Sequence, residues 1–203
     1  MASIGQLVRV VAGTAGLEEN SIKLIARYVR EAGLIDQKST GAGAALMSSE
    51  DAAALLMAVN GTSLAKEAAE TVREFSVLPI CLELDPETEL DEFKSINQRL
   101  LKTKTFGECL AELIAVLVDQ IGEADRKNKD LRSALKIAVH FDRPNLTGSI
   151  FVYERELNTE RMRVISHRVF QLETKVLSAD VDRLVSVSIS ERTLLSIARA
   201  IAN

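Results

Sequence analysis

Apolar and polar positions follow two different periods along the chain, and the change comes at Leu135. Before it, apolar residues recur three and four apart, the spacing of one helix face; after it, they alternate, the spacing of a half-buried strand. Leu7, Val8, Val10 and Val11 predict a short helix from Ile4 to about Gly13, and Thr14–Leu17 a turn in which Gly16 takes a positive φ. Asn20 or Ser21 is expected to cap a second helix, Ile22–Glu31, whose inner side is Ile22, Ile25, Ala26 and Val29, with Gly33 stopping it. Leu34-Ile35 and the Gly-rich run Ser39–Leu46 fit two short strands around a flexible tip. Ser48-Ser-Glu-Asp51 has the form of a capping box and opens an Ala/Leu-rich helix to Val59, closed by Asn60-Gly61. A further helix is expected from Ser63 to about Phe75.

Residues 76–89, with Pro79, Pro86 and four acidic side chains, read as a boundary. Leu90, Phe93, Ile96 and Leu100 resume helical spacing. Thr105-Phe-Gly-Glu108 is a second capping box before the clearest amphipathic helix, Phe106–Ile121, which is expected to end before Gly122; Glu123–Arg132 then reads as a charged connector. Strands are predicted over 135–142, 149–156, 162–172 and about 184–189, and a closing helix over about 191–202 begins after Ser190. Helices followed by strands give an α+β class rather than a parallel α/β fold. The predicted organisation is an N-terminal winged-helix-like helical domain, residues 1–78, and a domain of helices plus antiparallel sheet, residues 79–203.

Composition narrows this picture. Six Phe, two Tyr and no Trp leave a core to be built from Leu, Ile, Val and Ala. The N-terminus lacks the basic start, apolar stretch and cleavage site of a signal peptide, and no apolar run approaches a membrane span, so a soluble cytoplasmic protein with no membrane partner is expected. The net charge of −4 is unevenly spread: residues 80–130 hold 7 basic and 12 acidic residues, whereas residues 131–203 hold 11 and 8.

Candidate chemistry is sparse. Cys81 and Cys109 lie in apolar settings, as buried thiols do, and neither they nor His140 and His167 have metal-ligand spacing. Phosphate-binding-loop, H-E-x-x-H and G-x-S-x-G patterns are absent. The histidines are expected to be half-exposed structural residues, and the acidic run Glu83–Glu92 a solvated linker. The basic residues Arg143, Arg155, Arg161, Arg163, Arg168 and Lys175 gather around the predicted strands, either as a phosphate-facing surface or as part of a mixed, solvated one. No catalytic residue, cofactor or metal is predicted, and the chain is read as non-enzymatic.

The run Val8–Arg27, with Ala12 in the first helix, Gly16 in the turn and Val11, Ala15, Leu17, Ile22 and Ile25 as apolar contacts, resembles the helix-turn-helix of DNA-binding proteins. With Val29-Arg-Glu-Ala-Gly-Leu-Ile35 and the Gly-rich hairpin to Met47, it resembles the winged helix-turn-helix family of bacterial and phage type. The resemblance covers about a quarter of the chain. It implies double-stranded DNA as partner, with the second helix in the major groove and the wing on phosphates. Asn20, Ser21, Lys23, Arg27 and Arg30 would be the contacting residues on the helix, and Lys38 the one on the wing. Residues 1–45 carry 5 basic and 4 acidic side chains, so a near-neutral reading head is expected to act as a homo-oligomer, of regulator type. Two other readings share the architecture: a phage terminase small subunit binding packaging-site DNA as a ring, and an assembly or adaptor protein whose helical domain, or C-terminal domain, takes a protein partner.

Overall fold

The computed structural model describes residues 2–36, 46–84, 91–127, 135–144, 146–155, 162–172 and 185–202. An N-terminal helical region holds α1 (Ile4–Ala15), α2 (Glu19–Glu31), α3 (Ser49–Gly61) and α4 (Ala68–Ser76). It is followed by β1 (Ile80–Leu84), α5 (Asp91–Leu100), α6 (Phe106–Lys127), β2 (Leu135–Arg143), β3 (Thr147–Arg155), β4 (Met162–Gln171), β5 (Val185–Ser190) and α7 (Glu191–Ala202). The class is α+β, as the change of period predicts, with helices first and a five-stranded antiparallel sheet of order β1-β4-β3-β2-β5 after them.

Several boundaries differ from the expectation, each for a local reason. Helix α2 starts at Glu19: Glu18 occupies the cap position without a side-chain bond, its carbonyl accepts from Ser21 and Ile22, and Asn20 and Ser21 lie in the first turn rather than at the cap. Two glutamates at the positive end of a helix are electrostatically favourable there. The helix expected from Ser63 is divided, with a 3₁₀ turn at Ala65–Glu67 before α4. Helix α6 runs through Gly122 to Lys127, because Ile121 and Ala124 are buried on either side of it and outweigh the roughly 1 kcal/mol cost of a mid-helix glycine. Leu34-Ile35 is a bend, not a strand. The rest of the expected wing, residues 37–45, is outside the described residues.

The strand β1 lies where the sequence reads as a linker. It pairs antiparallel with β4, Glu83 opposite Arg168, and shifts register between Ile80 and Leu82, which leaves Cys81 as the extra residue of a bulge. Cys81 is therefore exposed, contrary to the expected burial, while Cys109 is buried as expected.

The sheet turns Ile137, Val139, Phe141, Ile150, Val152 and Phe170 toward the helices, and all are buried. Four of the six phenylalanines meet at this junction: Phe106 of α6 stands 5.4 Å from Phe141 and 5.5 Å from Phe170, and Phe75 of α4 stands 5.5 Å from Phe141, in edge-on contacts. The core is thus less purely aliphatic than the composition suggests. A single cluster of buried apolar side chains runs from α1 to α7 across residue 78.

Candidate nucleic-acid interface

Helix α1 is fixed at its start by a reciprocal capping box between Ser3 and Gln6. It ends at Gly16, whose φ of 68° allows the abrupt turn into α2. Ile22, Ala26 and Val29 are the buried side of α2; Leu7, Val8, Val11 and Ala12 are that of α1. Gly33, at φ 72°, closes α2, with the amide of Leu34 donating to the carbonyl of Val29 at 3.1 Å. Asp36 and Met47, on either side of residues 37–45, are held by the scaffold. The amide of Asp36 donates to the buried Asp51 carboxylate at 3.0 Å, and the amide of Met47 donates to the carbonyl of Ala2 at 2.8 Å.

With the apolar side of α2 anchored, Asn20, Ser21, Lys23, Leu24, Arg27 and Tyr28 are exposed on the other side, and Arg30 is half-buried. Lys23 pairs with Glu19 and Arg27 with Glu31, each at 2.7 Å and one helical turn apart. The hydrogen bond from Arg27 to Glu31 pushes the guanidinium further above its ordinary value, so it stays charged throughout. Such solvent-exposed pairs are weak, and a phosphate can replace the carboxylate. Lys23, Arg27 and Arg30 also line a shallow cleft of about 290 Å³, floored by Val8 and Ala26 and bounded by Ile4 and Gly5 at the start of α1. The cleft lies beside the first turn of α1, whose amides are already engaged by the Ser3–Gln6 capping box, and its exposed lining is mainly apolar.

Of the predicted contact residues, the structure brings Asn20, Ser21, Lys23, Arg27 and Arg30 onto one helix, and Lys38 lies outside the described residues. Leu24, 46% exposed, and Tyr28, 38% exposed, belong to the same surface and were missed by sequence reasoning. Their signal is an apolar pair four residues apart, off the Ile22–Ala26–Val29 stripe.

The other candidates resolve differently. Arg168 is fully buried, donating to the carbonyl of Leu100 at the end of α5 and to Glu83. Glu83 is therefore part of a strand and an ion pair rather than of a solvated linker. Arg143 donates to Thr71 at 3.0 Å and Glu74 at 3.2 Å, beside the Phe75 ring. These two arginines tie the sheet to the helices, so a phosphate-facing strand surface cannot draw on them. Nothing is described of the side chains of Arg155, Arg161, Arg163 and Lys175. His140 and His167 are half-buried, as expected, and flank Phe151; the His167 ring stacks on it at 4.0 Å, and burial lowers its pKa.

Among the described residues no group of three or more His, Cys, Asp or Glu side chains could hold a metal ion, and no helix is long and apolar enough to cross a membrane. Compared with known protein-family models, characterised proteins and solved structures, the chain matches none.

Proposed function

We propose that this is a non-enzymatic double-stranded-DNA-binding protein of regulator type, in which α2 is the reading helix and the Gly-rich segment after it a wing. The observation that carries the reading is the arrangement around α2. Asn20, Ser21 and Leu24 project to solvent from its N-terminal half, and Lys23, Arg27 and Arg30 gather beside the start of α1. Asn20 and Ser21 supply hydrogen bonds to base edges, Leu24 an apolar contact to a thymine methyl, and the cations bind the phosphates on either side. Glu18 and Glu19 sit at the entering end of the helix, which makes a single reading head weak and favours a homo-oligomer.

The test is a salt titration of duplex binding by the full chain, read by fluorescence anisotropy, with Lys23→Ala/Arg27→Ala beside it. Affinity should fall steeply with salt, and the double variant should bind more weakly, with a log–log slope reduced by about 2. No retention of any duplex at low salt would overturn the reading.

A second reading is supported by Leu24 and Tyr28, an exposed apolar pair one turn apart on the same helix, as on a protein-docking helix. It predicts that Leu24→Ala/Tyr28→Ala abolishes capture of a protein partner, and that the protein shows no salt-dependent affinity for DNA. A ring of eight or more subunits in solution would favour the packaging role over the regulator.

A further inference from the structure

The two edges of the sheet are built differently. The β1 edge follows Pro79, is bulged at Cys81 and carries Glu83 paired to Arg168, all devices that discourage further strand pairing. The β5 edge is Val185-Ser-Val-Ser-Ile-Ser190, without charge, proline or register shift along its six pairs to β2. Among the described residues β2 is its sole neighbour, so its outer row of backbone donors and acceptors faces away from the sheet. Most of its side chains are at least partly uncovered too. Ser186 and Ser188 are exposed on the side of His140 and Asp142. On the core side burial falls away along the strand, from Ile189 at 6% exposed through half-buried Val187 to Val185 at 46%.

We propose that β5 is a homodimerisation edge, which pairs antiparallel with β5 of a second copy about a two-fold axis through Val187. The sequence is self-complementary in that register. Val187 meets Val187 of the second copy, Val185 meets its Ile189, and Ser186 meets its Ser188, so these central pairs join like side chains on the same face. The result is a continuous ten-stranded sheet in which the apolar layer beneath α7 extends over Val185 and Val187 of both chains. A strand pair alone buries less than the roughly 1,200 Å² of a standard stable interface, so the dimer is a weak, concentration-dependent one. This inference is independent of the DNA reading, since it uses no residue of α2 and is tested without DNA.

The test is sedimentation of the full chain over a concentration series, with Ser186→Lys/Ser188→Lys and Ser186→Glu/Ser188→Glu. The proposed register sets like charges opposite each other in either variant alone and opposite charges opposite each other in the mixture. The mass of the wild-type protein should approach twice 22.2 kDa at high concentration. Each variant alone should stay monomeric at that concentration, and an equimolar mixture should recover the dimer. A wild-type protein that stays monomeric throughout, a lysine variant that dimerises like wild type, or a mixture that fails to recover overturns the proposal. Independently of any variant, amide exchange along β5 should slow as wild-type concentration rises; exchange that does not depend on concentration also overturns it.

Discussion

Helices α2 and α3 are neighbours of equal length, 13 residues each, and are used in opposite ways. Every residue of α3 from Asp51 to Val59 is buried, because its Ala/Leu surface is apolar all round and α2, α4 and α6 enclose it. In α2 only Ile22, Ala26 and Val29 are buried, and the rest of its circumference is polar, half-buried or, at Leu24 and Tyr28, apolar and exposed. The contrast separates support from presentation. Helix α3 fixes the position of its neighbours, and α2 can offer side chains to a partner because three residues suffice to hold it.

The largest break in that contrast comes from truncating leucines on the two helices. Leu55→Ala in α3 removes a fully buried side chain and should lower unfolding free energy by about 2–5 kcal/mol in urea titration. Leu24→Ala, at a position 46% exposed, should change it by no more than about 0.5 kcal/mol. Comparable losses at both would contradict the division.

Glycines sharpen it next. A Cβ added at Gly61, at the end of α3, would lie 2.7 Å from Thr71 Cγ2 and 2.8 Å from the Phe75 ring, so Gly61→Ala should destabilise by about 1–3 kcal/mol. Gly13, in α1, has nothing within 4 Å of such an atom, and Gly13→Ala should raise the melting temperature through a gain of roughly 0.5–1 kcal/mol.

Capping gives a smaller separation. Ser48 accepts from the amide of Asp51 at 3.2 Å, while the Asp51 carboxylate accepts from the amide of Ser48 at 2.9 Å, so Ser48→Ala should cost about 0.5–2 kcal/mol. Ser21→Ala should fall within about 0.5 kcal/mol, since Ser21 is not the cap of α2 and no stabilising contact of its side chain is evident.

A last effect is absent at neutral pH and is seen only in alkali. Burial pushes the Cys109 thiol up to about 11 from an ordinary value near 9. The unfolded chain then loses its proton first, so the contribution of Cys109 to stability is complete below pH 9 and is lost as pH rises toward 11. Cys109→Ala should flatten the stability profile in that window. With a thiol reagent at neutral pH, Cys81 should react at once and Cys109 only on unfolding.

Much of this architecture was legible in the chain because its devices are local. The capping residues Ser48 and Thr105, the positive-φ Gly16 and Gly33, and the alternation Leu135–Phe141 act within a few residues of themselves. What was not legible depends on distant partners. Strand β1 exists because β4 lies beside it, and Arg168 is buried because Glu83 and the carbonyl of Leu100 meet it from 85 and 68 residues away. The phenylalanine junction likewise draws on α4, α6, β2 and β4 at once. At the candidate site, polar residue types pointed to Asn20, Ser21, Lys23 and Arg27. Leu24 and Tyr28 escaped because apolar residues on a helix read as core until the packing shows which side is covered.

The most direct test of the central claim is backbone amide NMR of the full chain titrated with a DNA duplex at low salt. The account predicts that shifts and line broadening concentrate at Asn20–Tyr28 and the start of α1, with α3 amides unmoved, and that added salt reverses them. Amides of α2 that do not respond to any duplex, or a response confined to the sheet, would contradict it.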